Sequence, residues 1–477
     1  MATIAAQHPA YRRPAPSQPN ALDVDSLIPQ GATTLRGLGF NVLLCFLFMI
    51  YSRVFDMYLT TFHIPGISDR FMVVVIIISG SFARVFQTKI GKYLLAFTVW
   101  MILGIPFSVW RGGTFAVLTQ QWWASMVVFV AVGGLIADYK QYRQVATVTA
   151  VAIFVLSLFC LHYGTMETGR LFMANRSRFS NPNDMAQAML IGIPFWVALS
   201  RKSASPIGKV MCAGVLLFMA YIISKTGSRG AMISFGVLYL VMLYHASAAR
   251  KAGLLLVAAL FMCSAIAFLP STLKDRYKTL FSQDKVESME SGEEGILDSA
   301  VTSTESREHL IRQSLILTAT HPIFGVGAGQ FPVAENDLSI AQGKRKGSWL
   351  GTHNSYTQIA SEMGLPGIFF FLSIFFLSLK STNTLYKVTK PYPELAEITI
   401  QAEALFLSLV CLAITDIFIH VGYSMLLPVM AGMTISLVDT TRPIIAEVNR
   451  RRAALAMPPA AVRPVFPAAR RLPAPSL

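Results

Sequence analysis

Charge is what this chain has little of. Only 14% of its 477 residues are Asp, Glu, Lys or Arg, against about a quarter in soluble globular domains. That scarcity excludes an ordinary soluble fold. Cysteine is scarce too. The five, Cys45, Cys160, Cys212, Cys263 and Cys411, each sit inside an apolar run, and no two are close in sequence. They read as small core residues, not as a disulfide frame. No His/Cys/Asp cluster has the local spacing of a zinc site, so no metal is expected. The N-terminal Met1–Thr34 lacks a short apolar core and is rich in Pro, Ala and Gln. It is expected to be a disordered tail and not a signal peptide. The C-terminus from Pro443, rich in Pro, Ala and Arg, reads the same way. Strict alternation of apolar and polar residues is missing as well, which argues against membrane-barrel strands.

What the chain has in abundance is apolar sequence. Hydrophobic residues make up 54% of it, and the mean hydropathy is +0.53. They come in blocks such as Phe71–Gly80, Tyr93–Val109, Phe115–Ile136 and Leu254–Leu269. A helix needs roughly 20 apolar residues to cross the hydrocarbon core. Only a helix satisfies its own backbone there. The expectation is an all-α polytopic membrane protein with about twelve transmembrane helices and one large outer loop containing short helices. The spans fall near 37–52, 68–83, 93–110, 115–137, 144–163, 183–200, 208–224, 228–245, 252–270, 364–380, 396–415 and 421–438. That divides the chain into a tail (1–34), nine helices (35–270), the large loop (271–352), three helices (353–438) and a second tail (439–477).

The charges orient these spans. With the N-terminus inside, the inner loops carry Arg84, Lys89 and Lys92, then Lys140 and Arg143, then Arg201, Lys202 and Lys209. Arg250 and Lys251, then Lys380, Lys387 and Lys390, continue the series, and Arg442 and Arg450–Arg452 follow in the tail. This is the positive-inside pattern. It also accounts for the net charge of +15 without nucleic acid, because most basic residues border apolar spans. The membrane lipids are the partner this placement implies.

The large outer loop has its own organisation. Residues 284–298 are acidic and Gly/Ser-rich, the composition of a mobile segment. Thr302 and Glu305 have the spacing of a capping box. Leu310, Ile311, Leu315 and Thr318 recur at helical spacing, and His321-Pro322 stops that helix. Gly325-Val326-Gly327-Ala328-Gly329 then reads as a tight turn. Its likeness to a dinucleotide fingerprint is weak, because it follows a helix and not a strand.

Several ionisable residues on the outer side are not explained by the positive-inside pattern. Arg229 lies in Lys225-Thr226-Gly227-Ser228-Arg229, at the outer start of a span. Lys225 and Arg229 are spaced i, i+4 and on a helix would share a face. Two readings stand side by side: a snorkelling interfacial arginine, and a functional one, since ionisable groups near membrane depth tend toward function. His353 opens His353-Asn354-Ser355-Tyr356-Thr357-Gln358. A neutral imidazole can take a proton near pH 7; the other reading is a structural interfacial histidine. Tyr356 and Thr357 would share its helix face, and Glu362 would point away. Arg307 begins the loop helix and alone reads as a solvated charge. Arg170, Arg176 and Arg178 make the other sizeable outer loop cationic, before Phe179–Asp184, inviting an anionic ligand or lipid headgroups. Asp416 and His420 could pair at another outer helix end, with a structural role.

Together these segments resemble the O-antigen ligase and polysaccharide polymerase family of bacterial membranes. The resemblance rests on Phe179–Asp184 and the helix after it, on Thr226–Ala231, on Arg307 followed by His321–Phe331, and on Thr352–Tyr356 leading into Glu362–Gly367. It spans about Arg170–Phe376, and the last two stretches are the most specific. The acidic stretch Glu287–Glu294 departs from the pattern, so acceptor contacts do not carry over.

The resemblance implies a glycosyltransferase of the inner membrane, with both termini cytoplasmic and a periplasmic site. Such enzymes move a glycan from an undecaprenyl-diphosphate donor to a lipid- or glycan-linked acceptor. It implies His353 as catalytic base and Arg229 and Arg307 as diphosphate ligands, with Lys225, Arg178 and Arg176 as weaker phosphate contacts. Asn354, Ser355, Tyr356 and Asn183 support the motif. It implies inversion at the sugar and no cofactor. The alternatives are a polysaccharide or lipid transporter or flippase, and a non-catalytic export scaffold. No internal repeat of the kind many transporters carry is visible.

Overall fold

The computed structural model of the chain describes residues 34–54, 64–167, 169–173, 181–268 and 294–456, with residues 273 and 277. The expected N-terminal tail, Arg176, Arg178 and the acidic stretch up to residue 293 lie outside them. The chain is a helical bundle. In order, the helices are α1 (Thr34–Ser52), α2 (Ile64–Ile78), α3 (Ser81–Gln87), α4 (Lys89–Gly104), α5 (Arg111–Val117) and α6 (Trp123–Gly134). Then come α7 (Tyr139–Tyr163), a hairpin of β1 (Gly164–Glu167) and β2 (Arg170–Met173), α8 (Pro182–Lys202), α9 (Pro206–Lys225) and α10 (Arg229–His245). The last are α11 (Ala248–Phe268), α12 (Glu294–Thr320), α13 (Phe331–Ala341), α14 (Ser355–Thr389), α15 (Ala396–Thr415) and α16 (Leu426–Ala456). A π-turn, Leu118–Trp122, joins α5 to α6.

Local sequence sets many of these boundaries. Asp138 accepts from Gln141 N at 2.8 Å, while Gln141 Oε1 accepts from Ala137 N at 2.7 Å, a reciprocal cap that starts α7. Proline stands at the first position of α8 and α9, where its missing N–H costs nothing. Among the described residues, six helical stretches are long and apolar enough to cross a bilayer: Lys89–Phe107, Arg111–Gly134, Tyr139–Tyr163, Pro206–Lys225, Ser355–Thr389 and Pro393–Thr415. One large core joins helices from both halves of the chain. Central α15 packs mainly on α8 and α14.

Some expectations are corrected. The span near 68–83 is divided at Gly80, whose left-handed backbone (φ 63°) ends the run before α3. The outer loop after α7 begins as the antiparallel β1–β2 hairpin, a departure from an all-α chain. Thr302 and Glu305 are not a capping box, because α12 begins at Glu294 and carries both in its interior. For the same reason Arg307 lies inside that helix and does not begin it. The buried face of α12 is Leu310, Gln313, Ser314 and Leu317, while Leu315 is exposed. At the C-terminus, α16 runs through Pro443 to Ala456. Buried Ile444 and Val448, and the Arg452–Glu394 ion pair at 2.7 Å, hold that extension against the bundle.

The loops expected inside and outside gather at opposite ends. At one end Arg143 and Lys202 share Glu397, at 3.2 and 2.7 Å. Arg201 pairs with Glu403, and Arg84 with Asp439 at 3.4 Å. At the other end two glycine-bearing segments dock. The turn after α12 has Gly325, Gly327 and Gly329 at positive φ. It meets a break in α14 at Gly364, also at positive φ (71°). Val326 N and Gly327 N donate to the carbonyls of Ser361 and Glu362, both at 2.9 Å. The buried Glu362 carboxylate accepts from Gly329 N at 2.8 Å and Phe331 N at 3.1 Å. A Cβ on Gly325 would stand 2.3 Å from the Glu362 carbonyl carbon, and one on Gly364 2.2 Å from Ile323 O. Only glycine permits that approach. Leu310, Leu317, Val326, Phe331 and Ala334 form a second, smaller core beneath the turn.

Candidate functional site

Arg229 is placed by a turn and not by a shared helix face. Helix α9 ends at Lys225, and Gly227 takes φ 60°, reversing the chain. Ser228 then caps α10 by accepting from Ala231 N at 3.3 Å. Lys225 and Arg229 therefore stand on different helices, which corrects the i, i+4 reading. Lys225 instead lies over the Tyr221 ring at 5.3 Å. Arg170 braces the turn: its Nε donates to Thr226 O at 3.0 Å and its Nη2 to Asn183 Oδ1 at 2.9 Å. Asn183 thus supports the site through Arg170. Phe418 packs against Gly230, where a Cβ would meet the ring at 2.5 Å.

Arg307 reaches the same place from α12. Burial, and then the nearby Arg229, pull its guanidinium below its usual range. Two cations within electrostatic reach of each other make a place that attracts an anion.

His353 arrives from a third segment and is not on a helix, contrary to the expected shared face with Tyr356 and Thr357. Its backbone is left-handed at φ 53°, a region uncommon for non-glycine residues. Such strain concentrates at functional sites. The cause lies next door: Asn354 is the N-cap of α14, accepting from Tyr356 N at 2.9 Å and Thr357 N at 3.0 Å. Ser355 Oγ donates to Ile419 O at 2.7 Å and accepts from Val421 N at 3.0 Å. Tyr356 hydroxyl donates to Ala413 O at 2.6 Å. The motif Asn354-Ser355-Tyr356 is thus a clamp between α14 and the loop after α15.

That loop brings His420, which the sequence offers as a structural partner for Asp416. Asp416 instead accepts from Gln187 Nε2 at 2.8 Å, and its carbonyl accepts from Ser355 N at 2.8 Å. His420 packs edge-on against His353, ring centroids 4.9 Å apart. Burial first, then His420 and Arg307, pull the His353 imidazole down to about 4. It is therefore neutral near pH 7 and able to accept a proton. No local spacing could have exposed His420, which lies 67 residues from His353 (420 − 353).

The fold and this site define a class: a multi-pass helical membrane protein that gathers two arginines and a neutral histidine at one end of its bundle. Residues 214–372 match the family described as O-Antigen ligase, which supports assigning the chain to the O-antigen ligase and polymerase family. Arg229, Arg307 and His353 all fall within the matched stretch. The match supports a membrane enzyme of ligase or polymerase type, whose family implies lipid-linked glycan substrates. A search among curated proteins finds no match.

Proposed function

We propose that the protein transfers a glycan from undecaprenyl diphosphate to an acceptor hydroxyl in the building of a cell-surface polysaccharide. The observation that carries this reading is the convergence of Arg229, Arg307 and His353 from three separate segments. His353 takes the acceptor proton as that oxygen attacks the anomeric carbon. The bond from that carbon to the phosphate oxygen breaks, and its electrons leave with the lipid diphosphate. Arg229 and Arg307 hold the diphosphate and stabilise its growing charge. They supply positive charge that other transferases draw from a metal. Attack opposite the leaving group inverts the sugar.

The reading places twelve spans in the bacterial inner membrane, both termini in the cytoplasm and the arginine end in the periplasm, by the positive-inside bias. A cysteine at exposed Lys346 should then react with an impermeant thiol reagent in intact cells with a permeabilised outer membrane, and one at exposed Ala204 should not. The reverse pattern inverts the topology. Purified protein given lipid-diphosphate glycan should release lipid diphosphate only when an acceptor is added. Movement of the glycan lipid across vesicles without bond formation would make it a transporter.

A further inference from the structure

Next to His353, across His420, lies a second polar cavity that the chemistry above does not use. Its volume is about 230 Å³. Its walls include Arg53, Gln121, Asp184, Gln187, His420 and Met425. They come from the end of α1, the π-turn, the first turns of α8 and the loop before α16. These six lie outside the stretch that matches the family, while Gln358, which also lines the cavity, lies inside it. Some walls are closed by hydrogen bonds, as where Gln358 Oε1 accepts from Gly422 N at 3.1 Å, but three leave a polar atom unpaired. Gln187 is fully buried and gives its amide hydrogens to Thr415 Oγ1 at 2.9 Å and Asp416 Oδ1 at 2.8 Å. Its Oε1 then has no partner among the described residues, and neither does Asp184 Oδ1 or His420 Nδ1. Three buried polar atoms without partners are costly unless a ligand or water completes them.

The chemistry of the walls selects the ligand. Arg53 acts on Asp184 electrostatically, so the local charge is close to balanced. A cavity without excess positive charge offers a diphosphate little, whereas the Arg229–Arg307 pair attracts it. Carboxylate and amide oxygens accept hydrogen bonds, and an imidazole nitrogen does either. Met425, with Val421 and Leu426, offers an apolar face. A group of hydroxyls on a carbon ring both donates and accepts and also has C–H faces. The volume is below the roughly 300–1,000 Å³ of drug-sized sites and equals about seven or eight waters at ~30 Å³ each. One ring fits; an oligosaccharide does not. His420 is the shared wall, its ring against His353.

We propose that this cavity binds a single neutral sugar ring of the substrate glycan, beside the histidine and apart from the diphosphate. Asp184, Gln187 and His420 determine which sugar is accepted. The inference rests on the transferase reading for its place in catalysis, but sugar binding itself does not.

The test is saturation-transfer NMR on the full chain in nanodiscs, with D-glucose, D-galactose, D-mannose, L-rhamnose and N-acetyl-D-glucosamine as probes. At least one should bind with a dissociation constant on the order of 1–10 mM. Asp184→Asn, an isosteric change, should weaken it about tenfold or more, as should His420→Gln if either variant alone folds poorly. Arg307→Ala should leave the sugar signal intact. Lack of signal from every sugar, or a signal indifferent to both Asp184→Asn and His420→Gln, overturns the proposal and leaves a water-filled cavity. Sugar binding that depends on Asp184, in a protein that never releases lipid diphosphate, would sink the transferase reading and keep this one.

Discussion

At one end of the bundle Arg143, Lys202, Arg201, Arg84 and Arg452 each lie against a carboxylate, while at the other Arg307 lies within electrostatic reach of both Arg229 and His353. The first end lowers its own electrostatic energy and gains only position from it. The more exposed of these pairs, such as Arg452–Glu394, contribute little, about 0–1 kcal/mol each. The second end holds like charges near each other and keeps a histidine in a left-handed backbone. Neighbouring cations beside a histidine suit a place where a multiply charged anion is bound and then changes charge. On the proposed reading, the comparison separates charges that orient the protein in its membrane from charges that do chemistry.

The comparison would break most visibly at His353. His353→Ala should lower acceptor-dependent release of lipid diphosphate by about 10²–10⁴-fold, the usual yield of a positioned base, with the thermal midpoint nearly unchanged. Normal turnover in that variant would remove the base from the mechanism. Next in size is Arg307→Ala, expected to cost about 10²–10³-fold, as loss of one electrostatic stabiliser does. Arg307→Lys should recover only part, since an ammonium lacks the fork that grips two phosphate oxygens. The matching change at the other end, Arg143→Ala, should leave turnover per folded molecule unchanged.

A smaller effect concerns pH. Burial holds free His353 near 4, below the usual ~6.5 of an imidazole. The neutral form accepts the proton, so kcat/KM should be flat from pH 7.5 down to 5.5. An unshifted histidine would lose about tenfold by pH 5.5, since it would be about nine-tenths protonated there. In the complex a bound diphosphate favours the imidazolium, so the acidic limb of kcat should lie higher than that of kcat/KM. A tenfold fall of kcat/KM at pH 5.5 would mean that His353 is solvated in the working enzyme.

The sequence makes some of this legible for physical reasons. A bilayer demands apolar runs and leaves charges at their ends, so hydropathy and basic loops separate the two ends. The Gly325–Gly329 turn and the His321-Pro322 stop are equally local. Helix phase near the site differs from the expectation where turn and capping residues interrupt the spacing. Thr226-Gly227-Ser228 is turn chemistry, which breaks the spacing between Lys225 and Arg229. Asn354 is a strong N-cap type, which puts His353 outside the helix. The helix beyond Pro443 depends on burial of Ile444 and Val448 and on Glu394, far away in sequence. His420, Gln187 and Arg53 meet only through tertiary packing, and no spacing in one chain encodes that.

The smallest effect tests the quiet end. Glu397 accepts from Arg143 and Lys202, and all three side chains are partly exposed. Glu397→Gln should leave two cations near a neutral amide and cost about 0.5–1 kcal/mol, because solvent screens what the pair loses. That is a fall of about 1–2 °C in the thermal midpoint, shrinking as salt is raised. Turnover per folded molecule should stay at the wild-type level. The outcome that would damage the comparison is a loss of turnover as large as that of Arg307→Ala. Both ends would then feed the reaction, and the charge pairs at the Glu397 end would belong to the catalytic device and not to its anchoring.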